Sequence, residues 1–329
     1  MVIRPATQED FNGLCKFNIE HYPDKSNIDM SSYLSFWFSK KEEEITNSLV
    51  LVDNEGIIRG QNLFSSVSYF FNNEKIDSLW GFDLFVDEQL RSDAWGVDII
   101  LYYWRQHRDS LSTGVNEPSL ALNKKLRNVI IGEIKKYIGI VSPLGIFTCF
   151  FRKTVPINKY PDRVELKTES FERVSTRSFI SSINPYNDNL LEPERDSCFL
   201  EWRFNNNLHK YAFYKSTVSN NYFVLRTVHK KQVILMELVD FRCRLDSTDE
   251  FDNIFNAAKK ITQMLHLPIL FCGSSHSTID YVLEKGGLRS VGRNRPIIGG
   301  KKFMPYKEQI EKRNFVFITL ADSDGETAM

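Results

Sequence analysis

Residues Trp80 to Trp104 read WGFDLFVDEQLRSDAWGVDIILYYW. An apolar run passes through a short polar turn into a segment with Val97, Ile100, Leu101 and Trp104 at i, i+3, i+4 and i+7, the apolar face of a helix. The first N–H groups of a helix have no intrahelical acceptor and carry partial positive charge. Small residues beside them let an anion reach the backbone. Ser92, Ala94 and Gly96 are small residues at such positions, and the chemistry they offer is phosphate binding by backbone amides. The same pattern fits a plain strand-to-helix connector whose small residues permit close packing. Local charge favours the connector, since five carboxylates stand between Asp83 and Asp98 against Arg91 alone.

Other chemistries find little support. CGSSHS lacks the second glycine of a G-x-S-x-G nucleophile turn. The six histidines form no pair at helical ligand spacing, so no metal is expected. DSDGE resembles the start of a calcium loop, but the sequence ends before a bidentate Glu at the twelfth position. Cys15, Cys149, Cys198, Cys243 and Cys272 are scattered, odd in number and without a C-x-x-C pair, which is the usage of reduced thiols.

The elements that must position the turn follow from the remaining pattern. A chain of 329 residues accommodates two domains, and 42% hydrophobic residues supply their cores. The formal net charge is zero, so neither nucleic acid nor an anionic membrane surface is an expected partner. MVIRPATQEDFNGL has no apolar secretory core, and IGIVSPLGIFTCFF is too short and broken to span a bilayer, so a cytoplasmic location is expected. A strand precedes Thr7, which caps a helix with Asp10 three residues on. Residues 47–76 read as two strands around the turn DNEG. Further strands are expected at LSTGVN and in IKKYIGIVSPLGIFTCFFRK, with a helix at EPSLALNKKL between them. KTVPINKYPDRVELKTES is polar and aperiodic and marks a boundary near 155, giving domains 1–155 and 156–329. Beyond it a similar order recurs: a helix near FERVSTRSFISSI, strands KYAFYKS, NYFVLRTVH and QVILMELVDF, a helix from Asp249, a strand LPILFCG and a helix STIDYVLEKGG.

A strand ending at Val86, then Arg91, Ala94 and Gly96, then an amphipathic helix, resembles the coenzyme A loop of the GCN5-related N-acetyltransferases, whose pattern there is R/Q-x-x-G-x-G/A. Ala94 replaces the middle glycine. Downstream, GVNEPSLALNKKL resembles the family's N-x-x-A-x-x-L-Y segment at Asn116, Ser119 and Leu122, with Asn123 where many members carry the tyrosine that protonates the leaving thiolate. IRPATQEDF looks like the family's usual start. The resemblance spans roughly residues 1–150. It implies an α/β (α+β) fold of two tandem units, each a mixed, mainly antiparallel sheet flanked by helices. It also implies acetyl-CoA or another acyl-CoA as co-substrate, an amine as acceptor and no metal. The CoA contacts implied are Phe85 and Val86, the turn Arg91, Ser92, Asp93, Ala94, Trp95 and Gly96, and Asn116 and Asn123. A backbone N–H near Phe85 or Val86 would stabilise the oxyanion. Asp83, where many members place an acidic residue, is the expected base, beside its bland reading as a capping or pairing carboxylate.

In the second half, DSCFLEWRFNNNLHKYAFY resembles a segment of tandem proteins of this fold, some of them encoded with polysaccharide biosynthesis enzymes. An amino sugar or sugar nucleotide is therefore the expected acceptor, while Trp202 and Arg203 are read as structural. The basic stretch LRSVGRNRPIIGGKK is read as a solvated hairpin, with a phosphate or carboxylate contact as its sharper reading. No glycine lies between Val239 and Asn256, and Asp246, Asp249, Glu250 and Asp252 crowd the next helix start, so only the first half is expected to take CoA. Two rivals stand beside this reading: an aminoacyl-tRNA-dependent transferase of the peptidoglycan-bridge type, and a non-catalytic ligand-binding module.

Overall fold

In the computed structural model, residues 1–22, 29–72, 74–105, 110–113, 115, 117–146, 155–181, 190–206, 208–230, 233–306 and 315–322 are described. The first half runs β1 (Val2–Pro5), α1 (Phe11–His21), α2 (Met30–Phe38), β2 (Leu49–Val52), β3 (Ile58–Phe71), β4 (Glu74–Val86), α3 (Trp95–Arg105), β5 (Ser110–Thr113), α4 (Glu117–Lys125) and β6 (Val129–Ile140). The second half runs β7 (Arg163–Glu165), β8 (Ser170–Val174), α5 (Thr176–Ile180), β9 (Glu192–Pro193), α6 (Ser197–Phe204), β10 (Ala212–Ser216), β11 (Tyr222–Lys230) and β12 (Val233–Arg242). It continues with α7 (Asp249–Met264), β13 (Ile269–Ser274), α8 (Ser277–Lys285), β14 (Arg289–Ser290) and β15 (Arg295–Gly299).

These strands form one continuous sheet in the order β1-β2-β3-β4-β5-β15-β6-β13-β12-β11-β10-β8-β7. Most pairings are antiparallel; β4–β5 and β12–β13 are parallel. The halves interlock through one ladder. β6 runs against β14 at Ile138 and Tyr137 and against β15 from Ile134 to Val129. β15 thereby lies between β5 and β6 of the first half, while β6 also pairs with β13 of the second. A cut at 155 leaves β15 on the far side from both its partners.

Each half buries both faces of its sheet. In the first, Leu14, Phe17, Tyr33, Leu34 and Trp37 of α1 and α2 pack on Leu63, Phe82, Leu111 and Ile134. Ile99 and Tyr103 of α3 cover Leu49, Leu51 and Phe64 on the other face. In the second, α7 presents Phe251, Ile254, Phe255, Ala258 and Ile261 to Met236, Leu238 and Leu270, and α5 with α6 covers Val224 and Val239. Trp202 of α6 joins the halves, donating its indole N–H to the Phe36 carbonyl at 2.8 Å and stacking on the Phe36 ring at 4.7 Å.

Three local expectations change. FERV is strand β8, because Phe171 is buried beside Phe223 and the helix starts only after Ser175, whose hydroxyl accepts from the Ser178 N–H at 3.2 Å. MSSYLSFWF, unassigned in the sequence, is α2, which buries Met30, Tyr33, Leu34, Phe36 and Trp37. The basic stretch holds the exposed two-residue strand β14 and the interior strand β15, in which Ile297 and Ile298 are buried while Arg289 and Arg293 stay exposed.

α8 is capped by His276, whose Nδ1 accepts from the Thr278 N–H at 3.3 Å while the residue is only 3% exposed. Burial pushes its imidazole down from 6.5 to about 4. The folded state thus holds His276 neutral at a pH where the unfolded chain takes up a proton. Its contribution is complete above pH 6.5 and is lost as the pH falls toward about 4. The loss amounts to about 3 kcal/mol. Denaturant titrations between pH 7 and 4 should show His276→Asn, which keeps a cap acceptor, losing less stability than the parent; equal losses would show that another group governs the acid limb.

Candidate functional site

β4 and β5 pair at Leu79–Ser110, Trp80–Leu111 and Gly81–Ser112, then part. A glycine suits the parting point, since a Cβ on Gly81 would lie 3.2 Å from the Phe64 ring. On its other edge, β4 shifts register against β3: Phe82 faces Leu63 and Phe85 faces Gln61, so Asp83 and Leu84 together oppose Asn62. This is a bulge, and a bulge bends the strand and strengthens its twist. Asp83 takes φ 52°, a left-handed conformation that aspartate tolerates better than most residues. Two side chains hold it there. Gln61 Nε2 donates to the Asp83 carbonyl at 3.2 Å, and the Tyr33 hydroxyl donates to Asp83 Oδ2 at 3.1 Å. Gln61 is itself fixed by a reciprocal amide pair with buried Asn18, at 2.8 and 2.9 Å.

The parting strands open a cleft of about 340 Å³. Asp83, Leu84 and Phe85 line one wall, Ser112, Thr113, Ser119 and Asn123 the other, and Phe64, Ile100 and Tyr103 the apolar base. The Asp87 N–H donates to Arg59 of β3 at 2.9 Å. Successive residues of a strand direct their backbone groups to opposite edges, so the polar groups of Val86 face the opening instead. Arg91 lies there: its Nε donates to the Val86 carbonyl at 3.2 Å, and its guanidinium sits 4.8 Å from the Phe85 ring centre. It also pairs with Glu88 at 3.2 Å. The Phe85 ring lies within 6.0 Å of Phe17, His21 and Tyr22.

The turn after β4 is a short 3₁₀ segment, Glu88–Asp93, capped by Asp87, whose carboxylate accepts from the Gln89 N–H at 3.2 Å. Ala94 ends it at φ 62°, ψ 13°. This left-handed geometry costs an L-residue about 1–2 kcal/mol that glycine would not incur. The Val97 and Asp98 amides bond back to the Ala94 carbonyl at 2.8 and 3.2 Å, leaving Trp95 and Gly96 in the first turn of α3 without intrahelical acceptors. A Cβ on Gly96 would meet only a Val86 methyl at 3.8 Å, so the protein itself does not require glycine here. Arg91, Ser92, Asp93 and Ala94 are exposed, as are Glu88 and Asp98, so the turn faces solvent with an acidic surround.

Asn123 lines the cleft but is occupied: its Nδ2 donates to the Ser119 carbonyl at 2.7 Å and its Oδ1 accepts from Asn128 at 2.6 Å. Asn116 lies outside the described residues. The structure brings Asp83, Phe85 and Asn123 to one cleft, with Arg91 and Val86 at its edge and Gly96 beyond. Tyr33, Gln61 and Tyr22 escaped the sequence reading because their roles arise from contacts distant along the chain; only the spacing of a motif signals a residue locally.

The second half repeats the arrangement with a different outcome. β12 and β13 pair at Met236–Leu270, Glu237–Phe271 and Leu238–Cys272, so Asp240 stands two residues beyond the last parallel pair, as Asp83 does beyond Gly81. Asp240 is fully buried. Arg195 donates to it at 3.2 and 3.3 Å, Thr319 at 2.7 Å and Tyr222 at 3.1 Å. Residues 315–322 lie across these strand ends. Phe317 packs on Phe241, and Leu320 so closely on Gly273 that a Cβ there would fall 2.5 Å from it. The Ser275 hydroxyl donates to the Val316 and Ile318 carbonyls, and Asp322 pairs with Arg195 at 2.5 Å.

Among the described residues no group of three or more His, Cys, Asp or Glu could hold a metal ion, and no helix is long and apolar enough to cross a membrane. No protein-family model matches the chain, and no curated protein matches it in sequence. Solved structures do resemble it. A GCN5-related N-acetyltransferase from Anabaena variabilis aligns over 90% of this chain and 72% of its own, with a TM-score of 0.61 at 11% identity. N-myristoyltransferase from Saccharomyces cerevisiae, solved with bound myristoyl-CoA and inhibitors, aligns over 91% and 79% with a TM-score of 0.58 at 10% identity. A probable N-acyltransferase from Enterococcus faecalis aligns over 91% and 71% with a TM-score of 0.59 at 10% identity. With two parallel partings, one open and one covered, this chain has the fold of the GCN5-related N-acetyltransferases, present as two tandem units.

Proposed function

We propose that this protein moves an acyl group from acyl-CoA to the amine of a small molecule, with an amino sugar or sugar nucleotide as the acceptor class. The observation that carries this reading is the cleft where β4 and β5 part, in a fold shared with acyltransferases. Residues 1–155 form the acyl-CoA-binding unit and 156–329 a degenerate one that supports it. The acyl-pantetheine arm enters along the edge of β4, meeting the Val86 backbone once Arg91 swings aside, and the diphosphate lies at the first-turn amides of Trp95 and Gly96. Arg91, Ser92, Asp93 and Ala94 border it, and Asn116 and Asn123 stand on the opposite wall. Arg91, freed from Val86, would offset the acidic surround.

Transfer then requires little side-chain chemistry. The amine nitrogen bonds to the thioester carbonyl carbon, and a backbone N–H at Phe85 or Val86 stabilises the oxyanion. The C–S bond breaks as the intermediate collapses. Asp83, anchored by Tyr33, takes the ammonium proton directly or through water. With its Nδ2 and Oδ1 both engaged by the helix and Asn128, Asn123 does not serve as the acid, so the thiolate takes its proton from water or leaves as the anion. The same engagement of Asn123 favours, as a second reading, a module that binds acyl-CoA without turning it over.

Three measurements separate these readings. Calorimetry with acetyl-CoA and longer acyl-CoAs should give one site per chain, because residues 315–322 cover the second parting; two sites would refute the division between the halves. Gly96→Ala has room in the protein and should fold normally, whereas Gly96→Trp should block the diphosphate and lower affinity at least tenfold, a loss of about 1.4 kcal/mol. Unchanged affinity in a folded Gly96→Trp protein excludes the turn as the diphosphate site. With an acceptor in hand, Asp83→Asn should lower kcat by roughly 10²–10⁴ while the protein stays folded. Full activity would make Asp83 a structural residue, and acyl-CoA binding without transfer to any amine would favour the binding module.

A further inference from the structure

A second cavity, of about 490 Å³, shares no lining residue with the cleft. It lies where the β6–β15 ladder meets the first turn of α8, with α4 closing one side through Leu120. Pro296 and Val316 continue its apolar wall, and its charged residues are Glu133, Lys135 and Asp280. Asp280 is the most enclosed of the three, its side chain 15% exposed against 23% for Lys135 and 44% for Glu133. Its Oδ2 lies 3.0 Å from Lys135 Nζ, while its Oδ1 is buried without a hydrogen-bond partner. Lys135 is also 4.0 Å from Glu133, so one ammonium serves two carboxylates. The nearby Ser275 hydroxyl cannot serve Asp280, being committed to Val316 and Ile318. Burial pushes the Asp280 carboxyl above its ordinary value, outweighing the opposite pull of Lys135, Ser274 and Tyr137.

A buried carboxylate oxygen without a donor is costly, and a ligand N–H can relieve it. The lining carries one excess negative charge beside an aliphatic wall. We infer that this cavity binds a compact organic amine, its ammonium between Asp280 and Glu133 and its carbon chain against Leu120, Pro296 and Val316. The inference concerns binding alone and stands whether or not the cleft performs acyl transfer.

The probe is 1,4-diaminobutane, with 1,4-butanediol as the uncharged control, titrated against the full chain by calorimetry or ligand-observed NMR. The diamine should bind saturably and the diol should not. Asp280→Asn should weaken the diamine about tenfold, and half-exposed Glu133→Gln should weaken it less. Lys135→Met removes the competing ammonium and should tighten binding, a gain that a misfolded variant cannot mimic. Absence of saturable binding, equal binding of diol and diamine, or no change in all three variants would overturn the proposal. Acylation of the bound diamine in the presence of acyl-CoA would identify the ligand as acceptor, and binding without acylation as effector; both require the site.

Discussion

β4 and β5 stay together for three residue pairs and then separate, and the cleft exists because they do. Parallel strands normally continue side by side while their ladder lasts. Here the bulge at Asp83 and Leu84 bends β4 away, and the bend persists because its unusual backbone is held by side chains from elsewhere. Gln61 fixes the carbonyl of Asp83 and Tyr33 its carboxylate. Asn18 fixes Gln61 in turn, so every polar atom of that small buried set has a partner. A partly satisfied network there would cost more than an apolar one, which explains why the three side chains act as a unit.

The second half shows what the same backbone does when the opening is not kept. Asp240 stands where Asp83 stands, but its charge is balanced by Arg195 and its surface is covered by residues 315–322. Removing two charges from water carries a large desolvation cost, and attraction returns it only with complete hydrogen bonding. Tyr222, Thr319 and Asp322 supply that completion. The two partings therefore differ less in backbone than in what lies over them. One has an aspartate whose carboxylate accepts from Tyr33 at a cleft wall; the other has an aspartate buried in an ionic cluster.

Much of this was legible locally. The apolar face at Val97 and Ile100 set the direction of α3, and Thr7 with Asp10 marked the 3₁₀ turn Gln8–Asp10 that leads into α1, where the Thr7 N–H donates to the Asp10 carboxylate at 2.8 Å. The parting itself was reached through the resemblance around Val86 and Gly96. What escaped was non-local. α2 hides in MSSYLSFWF because five of its nine residues are buried, too many for a single polar face to appear. The stretch around β15 looked like a solvated hairpin because Arg289 and Arg293 precede the strand and are exposed, while Ile297 and Ile298 gain their environment only from β5 and β6. The 3₁₀ form of the turn was equally hidden, since nothing in EQLRSD announces that Ala94 will accept a positive φ.

The ladder that joins the halves bears on how the protein can be made. Every cleft-lining residue lies before Val129, so all of them leave the ribosome ahead of β15. Yet β5 has β4 on one edge and receives its second neighbour only from residues 297–299, which pair with residues 111–113. Until then the growing chain carries a bare strand edge beside an apolar slot, the kind of surface that recruits a chaperone or another nascent chain. Pairing residue 130 with residue 298 also gives a high contact order, which slows folding. The cleft should therefore take its final form only once β15 has been made, although every residue that lines it is translated earlier.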